Sequence, residues 1–199
     1  RDNGLINPII VRKKEDELYE MISGHRRKHA CEKLGIELIP TIVRDVTRDE
    51  AIIAMVDSNL QRENILPSEK AKAYKMKMDA MKRQGARTDL TSRPVGEKLL
   101  SVEEVAASAN ESARQVHRYI RLNELTPELL DFVDEGKIGL RPAVELSYLQ
   151  EEEMRDLVDY IDAESTFPSH EQTIRMKKLS QEGKLDTDTI NRIMNEDKP

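Results

Sequence analysis

The stretch Ser23-Gly24-His25-Arg26-Arg27 places a glycine and consecutive basic side chains where an apolar run gives way to a helix-forming one. The first N–H groups of a helix lack intrahelical partners and carry the positive end of its dipole, and glycine lets the main chain approach an anion closely. Arg26 and Arg27 add guanidinium forks that bind phosphate oxygens in pairs. Gly24–Arg27 therefore reads as a phosphate site. The alternative is an exposed first turn without a ligand, although basic residues there work against the dipole. A second cluster, from Asp57 to Asn64, ends an apolar run in short or planar polar groups: Asp57, Asn59, Gln61, Arg62 and Asn64. The amide oxygen of Asn59 is a hard donor of the kind Mg2+ accepts alongside water and phosphate; the alternative is a polar last turn. In a third cluster, Ser112, Ala113, Arg114, Gln115 and Arg118 share the outward face of a helix whose Val116 and Ile120 face inward. Such side chains reach base edges and phosphates.

The surrounding elements must hold these groups. Short β-rich runs at Ile9–Arg12, Leu18–Ile22 and within Glu37–Arg44 flank one helix after Gly24, with a polar turn at Lys13–Asp16 and Gly35 as its left-handed stop. Thr47 and Glu50 have capping-box spacing ahead of Ala51–Leu60. Pro67 breaks the chain, Ser68 is expected to cap the next helix, and Gly85 to end it. Ala71, Tyr74, Met78 and Met81 fall on one face there, with lysines on the other. Gly85–Leu100 lacks periodicity and reads as an exposed loop. Val102, Val105, Ala106 and Ala109 mark a short helix, and Asn110 occupies a turn position suited to left-handed backbone, the layout of a helix-turn-helix. Thr126, Pro127, Gly136, Ser169, Gly183 and Thr187 punctuate further helices. These signals predict an α+β chain with boundaries at 1–66, a small α/β unit; 67–150, a helical helix-turn-helix domain; and 151–199, a helical extension.

The chain has 199 residues, no Trp and 4% aromatics, so its cores are aliphatic. Its one cysteine, Cys31, has no internal disulfide partner, and four scattered histidines do not reproduce a zinc spacing. No run approaches a membrane span and no signal peptide opens the chain, so the expected location is cytoplasmic, with no membrane partner. The net charge of -6 is uneven: residues 1–100 carry 20 Lys and Arg against 16 Asp and Glu, and residues 101–199 carry 12 against 22. Any DNA contact must come from a local stripe, not a global field. Lys177, outside that stripe, is expected to contribute little to it. The chain opens at Arg1 rather than Met, just before an apparent strand, and reads as a fragment of a longer protein.

In order along the chain, the motifs resemble the ParB family of chromosome and plasmid partition proteins. "GLINPIIVR" is similar to its first box, "GHRRKHA" to its G-E-R-R-x-R-A box, and "SNLQREN" followed by "PSEKAKAY" to its E-N-L-Q-R-x-x-L-x-P-x-E-x-A-x-A-Y segment. The resemblance runs from residue 4 to about 150. It implies a ParB/sulfiredoxin-like nucleotide-binding domain followed by a helix-turn-helix domain. By that likeness the protein is a CTP- and Mg2+-dependent clamp that loads as a homodimer at a palindromic double-stranded DNA site, associates with a nucleoid or plasmid, and serves DNA segregation. Asn7, Gly24, His25, Arg26, Arg27, Ser58, Asn59 and Arg62 would bind nucleotide, with Asn59 also on the metal; Ser112, Arg114, Gln115 and Arg118 would contact DNA. A ParA-type ATPase would engage a segment before Arg1, and a dimerisation domain would follow Pro199. His25 and Ser58 stand where the family commonly has Glu, so any CTP hydrolysis is expected to be slow or absent. Two other readings are a transcriptional regulator that keeps the first domain as scaffold, and a sulfiredoxin-like redox enzyme. The latter needs a cysteine at the turn, where His25 stands.

Overall fold

The structure, a computed structural model, describes residues 7–62, 64–88 and 97–196. It has two compact units, one drawn from residues 1–62 and 76–97, the other from 63–75 and 98–199. A small three-stranded sheet followed by many helices makes the architecture mixed α+β.

In the first unit β1 (Ile9–Lys13), β2 (Tyr19–Ser23) and β3 (Thr41–Arg44) form a sheet of order β2-β1-β3. β1 and β2 are an antiparallel hairpin, and β3 lies parallel to β1. The hairpin turn closes with the Lys14 N–H donating to the Leu18 carbonyl at 2.7 Å, and Glu17 takes the left-handed φ of 61° that the tight return needs. Ile9 and Val11 alternate with less buried residues and, with Ile22, give the sheet its buried face. Helix α1 (His25–Lys33) follows β2 and ends at Gly35, whose φ is 67°. Helix α2 (Arg48–Leu60) begins with both halves of the Thr47–Glu50 capping box in place.

Helix α3 (Pro67–Thr88) contributes its residues up to 75 to the second unit and the rest to the first. Within the first unit Asp49 pairs with Arg83 at 2.8 Å, and Asp57 pairs with Lys77. The order of these pairs means that α2 and α3 run antiparallel. Asp49 and Lys77 are both buried.

The second unit holds α4 (Glu97–Ser108) from its second residue on, α5 (Ala113–Arg121), a 3-10 turn (Leu122–Glu124), α6 (Pro127–Asp134), α7 (Leu140–Leu146), α8 (Glu151–Glu164), α9 (His170–Gln181) and α10 (Thr187–Met194). Its core joins Leu122, Leu129, Ile138 and Leu146 to Leu157, Ile161, Met176, Ile190 and Ile193. The helices after Glu151 thus share one core with those before it. α4 and α5 are linked by Ala109–Ser112, where Asn110 has φ 54° and the Ser112 hydroxyl accepts from the Gln115 N–H at 3.2 Å.

Several local expectations are corrected. Ser68 does not cap α3: Pro67 is already its first residue, and Ser68 instead donates from its N–H and hydroxyl to the Asp134 carboxylate. Gly85 does not end α3, which runs on to Thr88, because one glycine among good helix formers costs only about 1 kcal/mol. Nor is Gly85–Leu100 all loop, since Gly85–Thr88 and Glu97–Leu100 are helical; residues 89–96 lie outside the described residues. The lysine face of α3 is not uniformly solvated, because Lys77 is buried against Asp57. The last helix does open at Thr187, as expected, with Asp186 as its cap accepting from the Thr189 N–H at 2.8 Å.

Candidate functional site

The turn from β2 into α1 is built on Gly24. Its φ is 109°, outside ordinary L-residue space, and a Cβ there would stand 2.7 Å from the Ile9 Cγ2 atom. The glycine is therefore required by the packing of the turn on β1. Once set, that turn presents His25, Arg26 and Arg27 as the first three residues of a helix with no acidic residue in its first turn and no side-chain cap. Their N–H groups fall where a helix has no internal acceptors to offer.

On α2, Met55, Ser58 and Asn59 follow the spacing i, i+3 and i+4, which gathers them on one face, and Arg62 follows just beyond the end of the helix. That face and the α1 turn line a cavity of about 280 Å³, to which Ile22 and Ser23 also contribute. Seven of the eight residues expected from the sequence to hold nucleotide lie on this wall: Gly24, His25, Arg26, Arg27, Ser58, Asn59 and Arg62. Residues 58–62 and 24–27 are thus brought together from separate parts of the chain. The eighth, Asn7, does not line the cavity; its carbonyl accepts from Arg27 Nη1 at 2.8 Å. The same nitrogen donates to the Pro8 carbonyl, so part of the Arg27 donor set ties α1 to the entry of β1.

Among the described residues, three arginines and no carboxylate line the cavity, so it suits an anion. Among the described residues Arg26 and Arg62 make no ion pair, which leaves both guanidinium groups available. For a divalent cation the described residues of the wall offer one side-chain amide oxygen, that of Asn59, and no acidic side chain. An ion there would depend chiefly on phosphate oxygens and water. Asp57, in the middle of the same polar run, lies against Lys77 of α3 and not in the wall. Cys31 is buried in α1 and absent from the lining, so it offers no reactive thiol at the turn. Met55, Ile22 and Ser23 were missed by sequence reasoning; the helical spacing of Met55 from Ser58 and Asn59 was the signal that could have found it.

The second candidate surface is α5. Arg114 is exposed, and Arg118 Nη1 donates to Gln115 Oε1 at 3.5 Å, so the two polar side chains are neighbours one turn apart. Ser112 is exposed but acts as the helix cap. At the other end of α5, Arg121 is committed to Ser147, donating to its hydroxyl at 3.0 Å and to its carbonyl at 2.6 Å.

The model of the ParB N-terminal domain matches residues 1–60. The chromosome-partitioning protein Spo0J of Thermus thermophilus is 32% identical over 153 residues, covering 77% of this chain and 50% of that protein. A nucleoid occlusion protein of Bacillus cereus is 30% identical over 184 residues, covering 92% of this chain and 58% of that protein. The chain thus spans about half to three fifths of the length of these relatives. In fold it is similar to the C-terminally truncated chromosome-partitioning protein ParB from Caulobacter crescentus, crystallised in complex with the centromeric parS site. The TM-score is 0.50 at 21% identity, over 91% of this chain and 84% of the other.

Proposed function

Residues 1–60 are a ParB N-terminal domain, and from that premise we propose that this chain is the nucleotide- and DNA-binding part of a partition-type protein. It binds CTP with Mg2+ in the cavity between α1 and α2 and reads a palindromic DNA site with α5. The observation that carries this reading is the cavity itself. The unpaired N–H groups of an acid-free helix start, the Arg26 and Arg62 guanidinium groups and the Asn59 amide converge on about 280 Å³ with no carboxylate among the lining residues.

Each residue has a physical task in that reading. The α1 N–H groups and Arg26 hold phosphate oxygens; Arg27, anchored to the Asn7 and Pro8 carbonyls, keeps the helix start aligned while its remaining N–H groups face the anion. Asn59 supplies the protein oxygen for Mg2+, which neutralises phosphate charge when bound. His25 and Ser58 stand at the wall without a carboxylate between them, so binding proceeds without efficient activation of water. Arg114, Gln115 and Arg118 supply base and phosphate contacts, and Ser112 fixes the start of their helix. A palindromic site has two equivalent halves, so two copies of the chain act together.

Calorimetric titration of the 199-residue chain with CTP, ATP, GTP and UTP, with and without DNA, tests the proposal. CTP is expected to bind best. Binding of DNA with no nucleotide bound under any condition would favour a regulator in which the first domain is scaffold.

A further inference from the structure

The last turn of α5 is locked to two other helices through one aromatic ring. The Arg121 guanidinium lies 4.1 Å from the centre of the Tyr148 ring, and the Lys177 ammonium of α9 lies 3.8 Å from the same centre. Lys177 is also paired with Glu145 at 2.7 Å, and Arg121 donates to Ser147 as described. Ser147 caps the end of α7 and is buried; its own hydroxyl donates to the Val144 carbonyl at 2.7 Å. Arg121 therefore sits on the negative end of the α7 dipole, where a cation is favoured, and its Nε and Nη2 groups both donate to Ser147. All of these residues belong to the second unit.

We propose that Tyr148, with Arg121 and Lys177, is a positioning site that sets the rotation of α5 and so determines DNA specificity without contacting DNA. This rests on α5 being the DNA-reading helix. Arg114, Gln115 and Arg118 precede Arg121 by one to two turns of the same helix. With side chains the helix radius is about 5–6 Å, so a rotation of roughly 20° moves their tips by about 2 Å. A base contact tolerates only a few tenths of an ångström. Lys177, which the sequence suggests is irrelevant to DNA, becomes part of the reading apparatus, and the acidic helices after Glu151 gain a task through α9.

The test uses fluorescence anisotropy of the 199-residue chain over a salt series. The probes are a duplex that the wild-type chain selects from a random-sequence library and a scrambled duplex of equal length. Tyr148→Leu keeps apolar bulk but removes the ring face. It is expected to reduce the ratio of selected-site to scrambled affinity by roughly threefold to thirtyfold, with scrambled affinity and salt slope unchanged. Tyr148→Phe keeps the face and is expected to retain the ratio. Lys177→Met, a second variant that leaves the ring untouched, should lower the ratio in the same direction. A ratio unchanged in both Tyr148→Leu and Lys177→Met would overturn the proposal. So would equal loss on both duplexes with a salt slope reduced by about one for Lys177→Met, which would make that cation a phosphate contact. If the wild-type chain enriches no sequence at all, the DNA-reading role of α5 fails and the positioning role fails with it.

Discussion

At the scale of single residues, the cavity separates groups without a protein partner among the described residues from groups that hold the protein. Arg26 has no partner among the described residues, whereas Arg27 is tied to two main-chain carbonyls. Arg26→Ala is accordingly expected to weaken CTP binding by roughly tenfold to a hundredfold, the range for a charge-assisted contact of about 1.5–3 kcal/mol, with an unchanged melting temperature. Arg27→Ala should weaken binding and lower the melting temperature as well; calorimetry and thermal unfolding on both variants separate the two roles. For hydrolysis, phosphate release from CTP in the presence of DNA is expected to be slow, and replacing His25 and Ser58 together by Glu should raise it. Vigorous turnover by the wild-type chain would mean that another residue activates water. The cluster at residues 24–27 was legible in the sequence because a glycine stands directly before consecutive basic residues there. The hold of Arg27 on Asn7 and Pro8 was not, because those carbonyls are 20 and 19 residues away and main-chain acceptors leave no trace in residue type.

At the scale of elements, the wall formed by α2 depends on its attachment to α3. Asp49–Arg83 and Asp57–Lys77 staple the two helices, and Asp57 immediately precedes Ser58 and Asn59. Asp57→Asn takes the carboxylate away from a buried ammonium. The loss should fall at the lower end of the roughly 3–5 kcal/mol for breaking a buried pair, since the Asp57 side chain is 37% exposed. Denaturant unfolding measures that loss, and nucleotide affinity should fall with it if the pair sets the wall; an Arg83→Gln control should cost stability with less effect on affinity. The elements themselves were readable where local chemistry suffices. The Thr47–Glu50 box, the stops at Gly35 and Gly136 and the left-handed Asn110 are all governed by a few neighbouring residues. The reading failed where position alone misleads. Ser68 has the right type for a cap but follows the proline that already starts the helix, and Gly85 has the right type for a stop but sits among helix formers. Periodicity showed that α3 has a buried face, yet could not reveal that Lys77 is buried, because its partner lies in another helix.

At the scale of the whole molecule, a three-stranded sheet with a cationic cavity and a helical unit with a polar, partly basic α5 are carried by one chain of net charge -6. The order of motifs made the α+β class legible, since each box is short and local. The sharing of one core by residues 122–149 and 154–194 was not, because hydrophobic spacing reports which faces are buried and is silent on which helices meet. CTP is proposed to occupy the cavity between α1 and α2. The most direct test of this placement is the change in backbone amide resonances of the 15N-labelled chain as CTP and Mg2+ are added. The largest shifts are expected at Gly24, His25, Arg26, Arg27, Ser58 and Asn59, with ATP producing much smaller ones. Shifts confined to α5–α10, or none at CTP concentrations that saturate binding by calorimetry, would contradict it.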